Sequence, residues 1–273
     1  MSILEAIIIA IVEGLTEFLP ISSTGHMVIT SSLLGIHKED FTKVFEVAVQ
    51  LGAIAAVVVV YWKKFFDFSR WQFYLKLAIG VLPSLLFGFL FNETIEHLLE
   101  STATVAVSLL LGGIVLLFVD RLFKQPTVKT DDEISFAKAF FIGCWQVIAM
   151  IPGVSRSAST IIGGMQQKLT RNLAAEFSFF LAVPTMIAAS AHSLFFKNWN
   201  VSGVEKKGYE LIVESSQNTN AFIVGNIVAF AVAILAIKFF INFLKRYGFF
   251  VFGIYRIIAG IALLILLYAG YLQ

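Results

Sequence analysis

The segment Glu13–His26 concentrates side chains that could do chemistry: its fourteen residues include two carboxylates, four hydroxyls and an imidazole. The ten residues before it, Ile3–Val12, are almost all aliphatic and too few to cross a hydrocarbon layer of about 30 Å. They favour a re-entrant or buried helix. Each Asp or Arg at membrane depth costs about 2.5–3.5 kcal/mol. A chain that keeps several polar groups at one place in apolar sequence is therefore expected to use them.

Glu13 and Glu17 are four residues apart, so they share one face of a helix. Like charges at this spacing repel each other even in water, and in a medium of low dielectric the pair must share a proton or hold a cation. Carboxylate oxygens bind Mg²⁺ and Ca²⁺, and Mg²⁺ usually keeps substrate phosphate as a further ligand. We predict a divalent cation at Glu13 and Glu17. The alternative is a pair at a helix end that faces water.

The residues from Pro20 to His26 combine a turn with the start of a helix. Pro20 ends the preceding helix, and a hydroxyl can cap the next one. Capping accounts for one hydroxyl only, and the backbone of a first helical turn also binds anions. Ser23 and His26 are three residues apart, so a helical turn can pair them as nucleophile and base. The predicted substrate-binding residues of this segment are Ser22, Thr24 and Gly25.

A second polar motif, Pro152–Ser157, interrupts apolar sequence later in the chain. Gly153 lets the backbone approach a ligand, and Arg156 offers a planar fork of donors that matches phosphate oxygens. The alternative for Arg156 is a side chain that extends to the interface. Arg256 lies inside the last apolar segment, and for this residue a functional role and a side chain that extends to the interface are equally favoured. The predicted substrate-binding residues of the second motif are Gly153, Ser155 and Ser157.

Composition places these motifs in an integral membrane protein. Of the 273 residues, 58% are hydrophobic and 14% are charged, against about 25% charged in soluble domains. The sequence has no basic cluster that would bind nucleic acid, and its one cysteine, Cys144, excludes an internal disulfide. The first residues lack the basic segment of a cleavable signal peptide. His37, His97 and His192 are predicted loop or packing residues.

The fold class predicted is all-α, a polytopic membrane protein that forms one domain over residues 1–273. A polar linker at about 120–135 separates repeat 1, about 1–125, from repeat 2, about 136–273. Placing Pro20 on Pro152 puts Ser23 on Ser155. Polar loops are predicted at 92–102 and 197–220. The predicted spans are 46–62, 73–91, 103–119, 177–196, 221–241 and 249–271.

Each repeat contains one re-entrant broken hairpin and three transmembrane helices, and an odd number of spans predicts two inverted-topology repeats. The loops assigned to one side carry ten Lys and Arg residues, and those on the other side carry five. The first side is therefore predicted to be cytoplasmic. The first hairpin then enters from outside and the second from the cytoplasm. We expect them to meet inside the membrane, with Arg156 facing Glu17, Ser23 and His26.

Three runs, Glu13–His26, Pro152–Ser157 and Glu176–Pro184, closely resemble those of bacterial undecaprenyl-diphosphatases of the bacitracin-resistance type. The resemblance covers the whole chain in length and motif order. Small departures are Ile21, where Val is common, and Ala158, where Gly is common.

This resemblance implies hydrolysis of undecaprenyl diphosphate to undecaprenyl phosphate and phosphate, which recycles the lipid carrier of peptidoglycan synthesis and confers resistance to bacitracin. It implies a multi-pass protein of the bacterial plasma membrane, with an active site open to the outer face and a divalent cation. Its partners are the polyprenyl diphosphate lipid and the bilayer, and a homodimer is one assembly that this expectation allows. The catalytic residues carried over are Glu17, Ser23, His26 and Arg156.

The sequence leaves the chemical step open. Ser23 attacks the terminal phosphorus or orients water, and His26 moves the proton; a phosphoserine, a phosphohistidine and direct attack by water all remain alternatives. A different class is an inverted-repeat transporter or flippase for an anion or lipid phosphate. A weaker third interpretation is an intramembrane Ser/His protease, which the acidic pair and Arg156 fit poorly.

Overall fold

The computed structural model describes residues 1–99, 101–201 and 203–269. The regular secondary structure of these residues is helical apart from one antiparallel hairpin, formed by β1 (Asn198–Val201) and β2 (Val204–Lys207), in which Asn198 pairs with Lys207. Short 3-10 and π segments lie at Asp131–Glu133 and His192–Phe196. The α-helices are α1 (Ile3–Thr16), α2 (Ser23–Leu33), α3 (Asp40–Ala48), α4 (Gln50–Val60), α5 (Trp62–Phe65), α6 (Trp71–Leu90), α7 (Asn92–Leu99), α8 (Thr102–Leu122), α9 (Phe136–Ile148), α10 (Arg156–Gln166), α11 (Arg171–Ala191), α12 (Gly208–Val213), α13 (Ser216–Tyr247) and α14 (Phe250–Tyr268).

Six helical segments among the described residues are long and apolar enough to cross a membrane. Each overlaps one predicted span, so the polytopic all-α class is confirmed. The predicted end of the last span, residue 271, lies outside the described residues. The six segments are Asp40–Val60, Trp71–Leu90, Thr102–Leu122, Arg171–Phe196, Ser216–Tyr247 and Phe250–Tyr268.

Two predicted loops contain regular structure, so those predictions were wrong. Residues 92–102 include α7, and residues 197–220 include the β-hairpin and α12. The hairpin forms because Trp199 and Val201 pack against the apolar cluster around α3, while alternate residues face outward. The segment was predicted as a loop because it is polar overall, and that average did not show that alternate residues are partly buried.

Two helix–break–helix units share one layout: α1 and α2 flank the first break, residues 17–22, and α9 and α10 flank the second break, residues 149–155. The second helices are each 11 residues long, and they begin after Ser22 and Ser155, which have φ values of 70° and 76°. Both serines accept a hydrogen bond from the backbone three residues on, at Gly25 and Ala158. Ser155 therefore corresponds to Ser22, so the predicted alignment was wrong by one residue. The shared feature is the left-handed cap, a conformation that non-glycine residues rarely adopt.

The positions before the breaks follow the same correspondence. Ser2 and Ser135 cap α1 and α9 through equivalent hydrogen bonds. At this spacing Gln146 corresponds to Glu13, so the second unit carries a neutral amide where the first carries an acid. The repeat boundaries and the opposite orientation of the two units stay predictions.

Helix α14 is held close against α8 by facing glycines. A Cβ on Gly113 would lie 2.9 Å from the carbonyl oxygen of Gly253, and a Cβ on Gly253 would lie 2.9 Å from that of Gly113. Small residues let membrane helices approach in this way. The close packing fixes the position of two residues of α14, the buried Arg256 and the partly exposed Tyr255.

Ion pairs join Asp131 and Asp132, in the predicted linker, to residues that precede α6. Arg70 Nη2 lies 2.9 Å from both Asp131 Oδ2 and Asp132 Oδ1, and Lys64 Nζ lies 3.3 Å from Asp131 Oδ2. Burial raises the pKa of the Asp131 carboxyl, but the charges of Lys64 and Arg70 outweigh burial and leave that pKa below its usual value. The predicted linker is thus an ordered segment.

Candidate active site

The two chain breaks meet in the interior, as the sequence predicted. Ser157 Oγ, in the first turn of α10, donates a hydrogen bond of 2.7 Å to the carbonyl of Leu19 in the first break. Arg256 Nη1 donates to the carbonyls of both Pro20 and Val154, at 3.2 and 2.9 Å. The breaks are therefore joined to each other directly and through α14.

Glu17 is the centre of the cluster. It caps the C-terminus of α1, is 8% exposed, and accepts Arg156 Nη2 on Oε1 at 2.7 Å and the Ser23 hydroxyl on Oε2. Hydrogen bonds to a charged partner of this kind are about twice as strong as neutral ones. One carboxylate thus joins the serine of the first motif to the arginine of the second.

Arg156 is the first residue of α10, and its guanidinium is turned inward. Its Nη1 donates 3.0 Å to the carbonyl of Ser178 on α11, while Nη2 binds Glu17. Its Nε is buried and has no hydrogen-bond partner among the described residues. The side chain therefore does not extend to the interface, and it keeps one donor for a ligand.

Glu13 is fully buried, and neither carboxylate oxygen has a hydrogen-bond donor among the described residues. The carboxyl of Glu17 lies beside it, and Arg156 and Glu46 are within electrostatic range. Two adjacent buried carboxyls need a proton or a cation between them. The donor set of Glu13 and Glu17 therefore fits a hard divalent cation.

The described residues include no group of three or more His, Cys, Asp or Glu side chains that could hold a metal ion. A cation at Glu13 and Glu17 would need oxygen ligands from elsewhere, and Mg²⁺ commonly takes these from substrate phosphate and water. The pair suits a metal that binds together with its substrate.

His26 faces α14 and not Ser23, so the predicted pairing of these two residues was wrong. Its Nδ1 lies 2.7 Å from the Ser22 carbonyl and its Nε2 lies 2.6 Å from Tyr255 Oη. Because a carbonyl only accepts, these partners assign the proton to Nδ1, and Nε2 accepts from the tyrosine. The rings stack at 5.6 Å with an interplanar angle of 9°. The acceptor of the Ser23 proton is Glu17.

The three other predicted serines have structural partners. Ser22 and Ser155 cap α2 and α10, Ser157 binds the first break, and Ser155 Oγ lies 3.1 Å from Ser157 Oγ. Thr24 is half-buried in the first turn of α2. Their roles toward a substrate stay predictions.

Both predicted glycines pack against α8. A Cβ on Gly25 would lie 3.1 Å from Val105 Cγ1, and a Cβ on Gly153, where φ is +88°, would lie 2.9 Å from Val105 Cα. Close helix packing therefore requires a small residue at each position. At Gly153 the positive φ adds a second reason, because L side chains rarely adopt it.

Arg256 is fully buried and forms no salt bridge among the described residues. It is a positioning residue, because its guanidinium binds the backbone of both breaks and of α8. Gly112 makes the room, since a side chain there would overlap the guanidinium. The acceptors are the carbonyl oxygens of Pro20, Ser108, Leu109, Gly153 and Val154.

Sequence reasoning missed Tyr255 and Glu46. Glu46 lies in α3, near Glu13, with one buried oxygen that has no partner among the described residues. Glu46 could have been found from the sequence, because it is an acidic residue at the start of an apolar span. Tyr255 had none, because a tyrosine is ordinary in a membrane helix. His37 lies 3.0 Å from Ser31 Oγ and His192 stacks on Phe196, as packing residues do, while the side chain of His97 lies outside what the structure describes.

The fold and this cluster define a class: a helical, multi-pass membrane protein with a buried acid, alcohol and guanidinium site where two broken hairpins meet. Residues 6–262 match the family model of the bacitracin resistance protein BacA. The chain belongs to this family, which confirms the resemblance seen in the sequence.

Curated relatives share nearly the full length of the chain. An undecaprenyl-diphosphatase of Flavobacterium psychrophilum is 54% identical over 97% of this chain and 96% of its own. Those of Flavobacterium johnsoniae and Bdellovibrio bacteriovorus are 53% and 50% identical, over 97% and 99% of this chain and 96% and 98% of theirs.

Proposed function

We propose that the protein hydrolyses undecaprenyl diphosphate to undecaprenyl phosphate and inorganic phosphate in the bacterial plasma membrane. The observation that carries this proposal is the single carboxylate of Glu17 that joins Ser23 to Arg156 inside an apolar fold. A nucleophile beside a phosphate-binding fork suits phosphoryl transfer. The activity recycles the lipid carrier of peptidoglycan synthesis and accounts for resistance to bacitracin.

Arg156 holds the diphosphate. Its buried Nε is the free donor, and the planar fork matches two phosphate oxygens. Helices α2 and α10 both begin at the site, so backbone N–H groups of two first turns add anion-binding groups. These groups also stabilise the charge that develops on the phosphoryl oxygens.

Ser23 is the group best placed to attack, because its proton already has an acceptor. As Oγ forms a bond to the terminal phosphorus, Glu17 takes the proton, and the bond to the bridging oxygen breaks. Undecaprenyl phosphate leaves with the electron pair, and water then hydrolyses the phosphoserine. Direct attack by water held at Ser23, and a phosphohistidine at His26, are the alternatives.

Glu13 and Glu17 are the proposed ligands of Mg²⁺ or Ca²⁺. Their support is the buried, unpartnered carboxylate of Glu13 next to Glu17. A divalent cation neutralises negative charge on phosphate oxygens.

The site is proposed to open to the outer face. The support is the excess of Lys and Arg in the loops assigned to the cytoplasm, together with two inverted repeats. Undecaprenyl phosphate is released on that side of the membrane.

Phosphate release from undecaprenyl diphosphate by the purified protein in detergent, with and without EDTA, tests the function. A phosphatase releases phosphate and loses activity with EDTA. A transporter or flippase, which the meeting of two broken hairpins also suits, releases none, because translocation does not break the phosphoanhydride bond. Release of no phosphate would overturn the proposal.

A further inference from the structure

An apolar cavity of about 460 Å³ lies between the end of α1, the first break, α13 and α14. None of its described lining residues is charged. Its volume is within the range of about 300–1,000 Å³ that is typical of small-molecule sites. The lining residues that matter below are Leu19, Ile21, Leu235, Ala236, Phe239 and Tyr255.

The polar groups in the wall of this cavity all have other partners. The hydroxyl of Thr16 donates 2.7 Å to the carbonyl of Val12, and the hydroxyl of Tyr255 binds His26. The carbonyl of Leu19 accepts from α10. The cavity therefore offers only hydrocarbon surface, so an apolar chain can enter it from the bilayer without leaving a polar group unpaired.

One end of the cavity opens on the protein surface. Leu235 and Phe239 line it and are 68% and 59% exposed, and both belong to the spanning helix α13. At the other end the cavity is lined by Leu19 and Ile21 of the first break and by Tyr255, which is 44% exposed and whose hydroxyl binds His26. The cavity is thus a continuous apolar path from the lipid-facing surface to the edge of the catalytic cluster.

We propose that this cavity binds the isoprene units nearest the diphosphate of the polyprenyl substrate; the proposal rests on the proposed function. A phospholipid acyl chain would meet the same surface, but only a substrate tail needs a path that ends at the cluster. The volume accommodates a few isoprene units, so the rest of the chain lies in the bilayer. The prenyl-bearing phosphate then faces His26 and Tyr255, and the terminal phosphorus faces Ser23.

Filling the cavity tests the proposal. Ala236→Phe places a ring in the cavity, and Ile227→Phe, nine residues earlier on α13 and 62% exposed, is the matched control. The substrates are farnesyl diphosphate and methyl diphosphate, which has no prenyl chain. We expect Ala236→Phe to raise KM for farnesyl diphosphate about tenfold or more, with little change in kcat. We expect the kcat/KM of Ala236→Phe for methyl diphosphate to stay within about twofold of the wild-type value. The kcat/KM of the Ile227→Phe control should stay within the same range for both substrates.

A second measurement needs neither turnover nor a large substitution. In a Cys144→Ser background, Leu235→Cys and Ile227→Cys are modified with a maleimide, with and without farnesyl methylenediphosphonate, a non-hydrolysable analogue. We expect the analogue to slow modification only in the Leu235→Cys variant, by about fivefold or more, because bound ligands bury most of their surface.

Two results would overturn the tail site: equal effects of Ala236→Phe on the prenyl and methyl substrates, or equal labelling of the Leu235→Cys variant with and without the analogue. If the wild type releases no phosphate, the proposed function fails, and the labelling still reports whether the cavity takes a prenyl chain.

Discussion

Arg156 and Glu17 form an ion pair of 2.7 Å between the two broken hairpins, although they are 139 residues apart in sequence. The pairing offsets the cost of burying each charge, which is high for a charge that has no partner. The same carboxylate binds Ser23, so the pair that joins the hairpins also orients the proposed nucleophile. The ion pair is therefore part of both the packing of the two units and the geometry of the site.

Arg156→Lys is expected to lose most of the activity. A lysine has one nitrogen, and it cannot bind Glu17, the Ser178 carbonyl and a phosphate with fixed geometry. The loss of about 3–5 kcal/mol of transition-state stabilisation corresponds to a fall of about 10²–10³-fold or more in kcat/KM. Steady-state phosphate release measures it, with Arg246→Lys as the control, since Arg246 is exposed at the end of α13. Full turnover in Arg156→Lys would contradict the role of the fork.

Ser23→Ala separates the three chemical pathways. If Ser23 is the nucleophile, rapid quenching with a substrate labelled in the terminal phosphate traps a covalent phosphoenzyme in the wild type and in His26→Ala, but none in Ser23→Ala. A label that survives in Ser23→Ala and disappears in His26→Ala identifies a phosphohistidine instead. No label in any protein, despite turnover, favours direct attack by water.

Much of the site could be predicted from the sequence because charged and polar groups inside a membrane must find one another. This reasoning placed Arg156 against Glu17 and Ser23 without any knowledge of helix packing. The six spans could be predicted from the length of the apolar runs, because about twenty consecutive apolar residues are enough to cross the bilayer.

The partners of individual atoms could not be predicted. The ring of His26 turns away from Ser23 because Tyr255, on the last helix, offers a hydroxyl and a stacking surface. Arg256 remained undecided because its acceptors are backbone carbonyls, which have no signature in sequence. The alignment of the repeats slipped by one residue because proline, and not the left-handed cap, is the visible mark of a break.

Arg256→Met is expected to destabilise the fold by about 3 kcal/mol or more, because it leaves several buried carbonyls without donors. Arg256→Lys restores only part of this, since its three donors cannot reach every acceptor. The measurement is the unfolding midpoint in detergent, with Arg246→Met as the exposed control. An unchanged midpoint in Arg256→Met would mean that the breaks hold their conformation without this residue.

Glu13→Gln tests the proposed cation site. The amide keeps the size of the side chain and removes one anionic ligand, so the Mg²⁺ concentration for half-maximal activity should rise about tenfold or more. Excess Mg²⁺ should recover much of kcat, because Ser23, Glu17 and Arg156 are unchanged. Gln146→Asn, at the corresponding position of the second unit, is the control, and its metal requirement should match the wild type. Equal requirements in Glu13→Gln and the wild type would remove Glu13 from the ligand set.

The linker network predicts an acid-sensitive contribution to stability. The folded pKa of Asp131 lies below its unfolded value of about 3.9, so its contribution is present above that value and is lost as the pH falls through the folded pKa. Because the ion pairs of Asp131 with Lys64 and Arg70 are partly exposed, we expect them to contribute less than about 1 kcal/mol to the free energy of unfolding. Between about pH 5 and pH 3, the unfolding midpoint of Asp131→Asn should therefore fall less than that of the wild type. The control is Asp67→Asn, which alters only a local contact with Ser69; equal pH slopes in all three proteins would show that the network adds nothing.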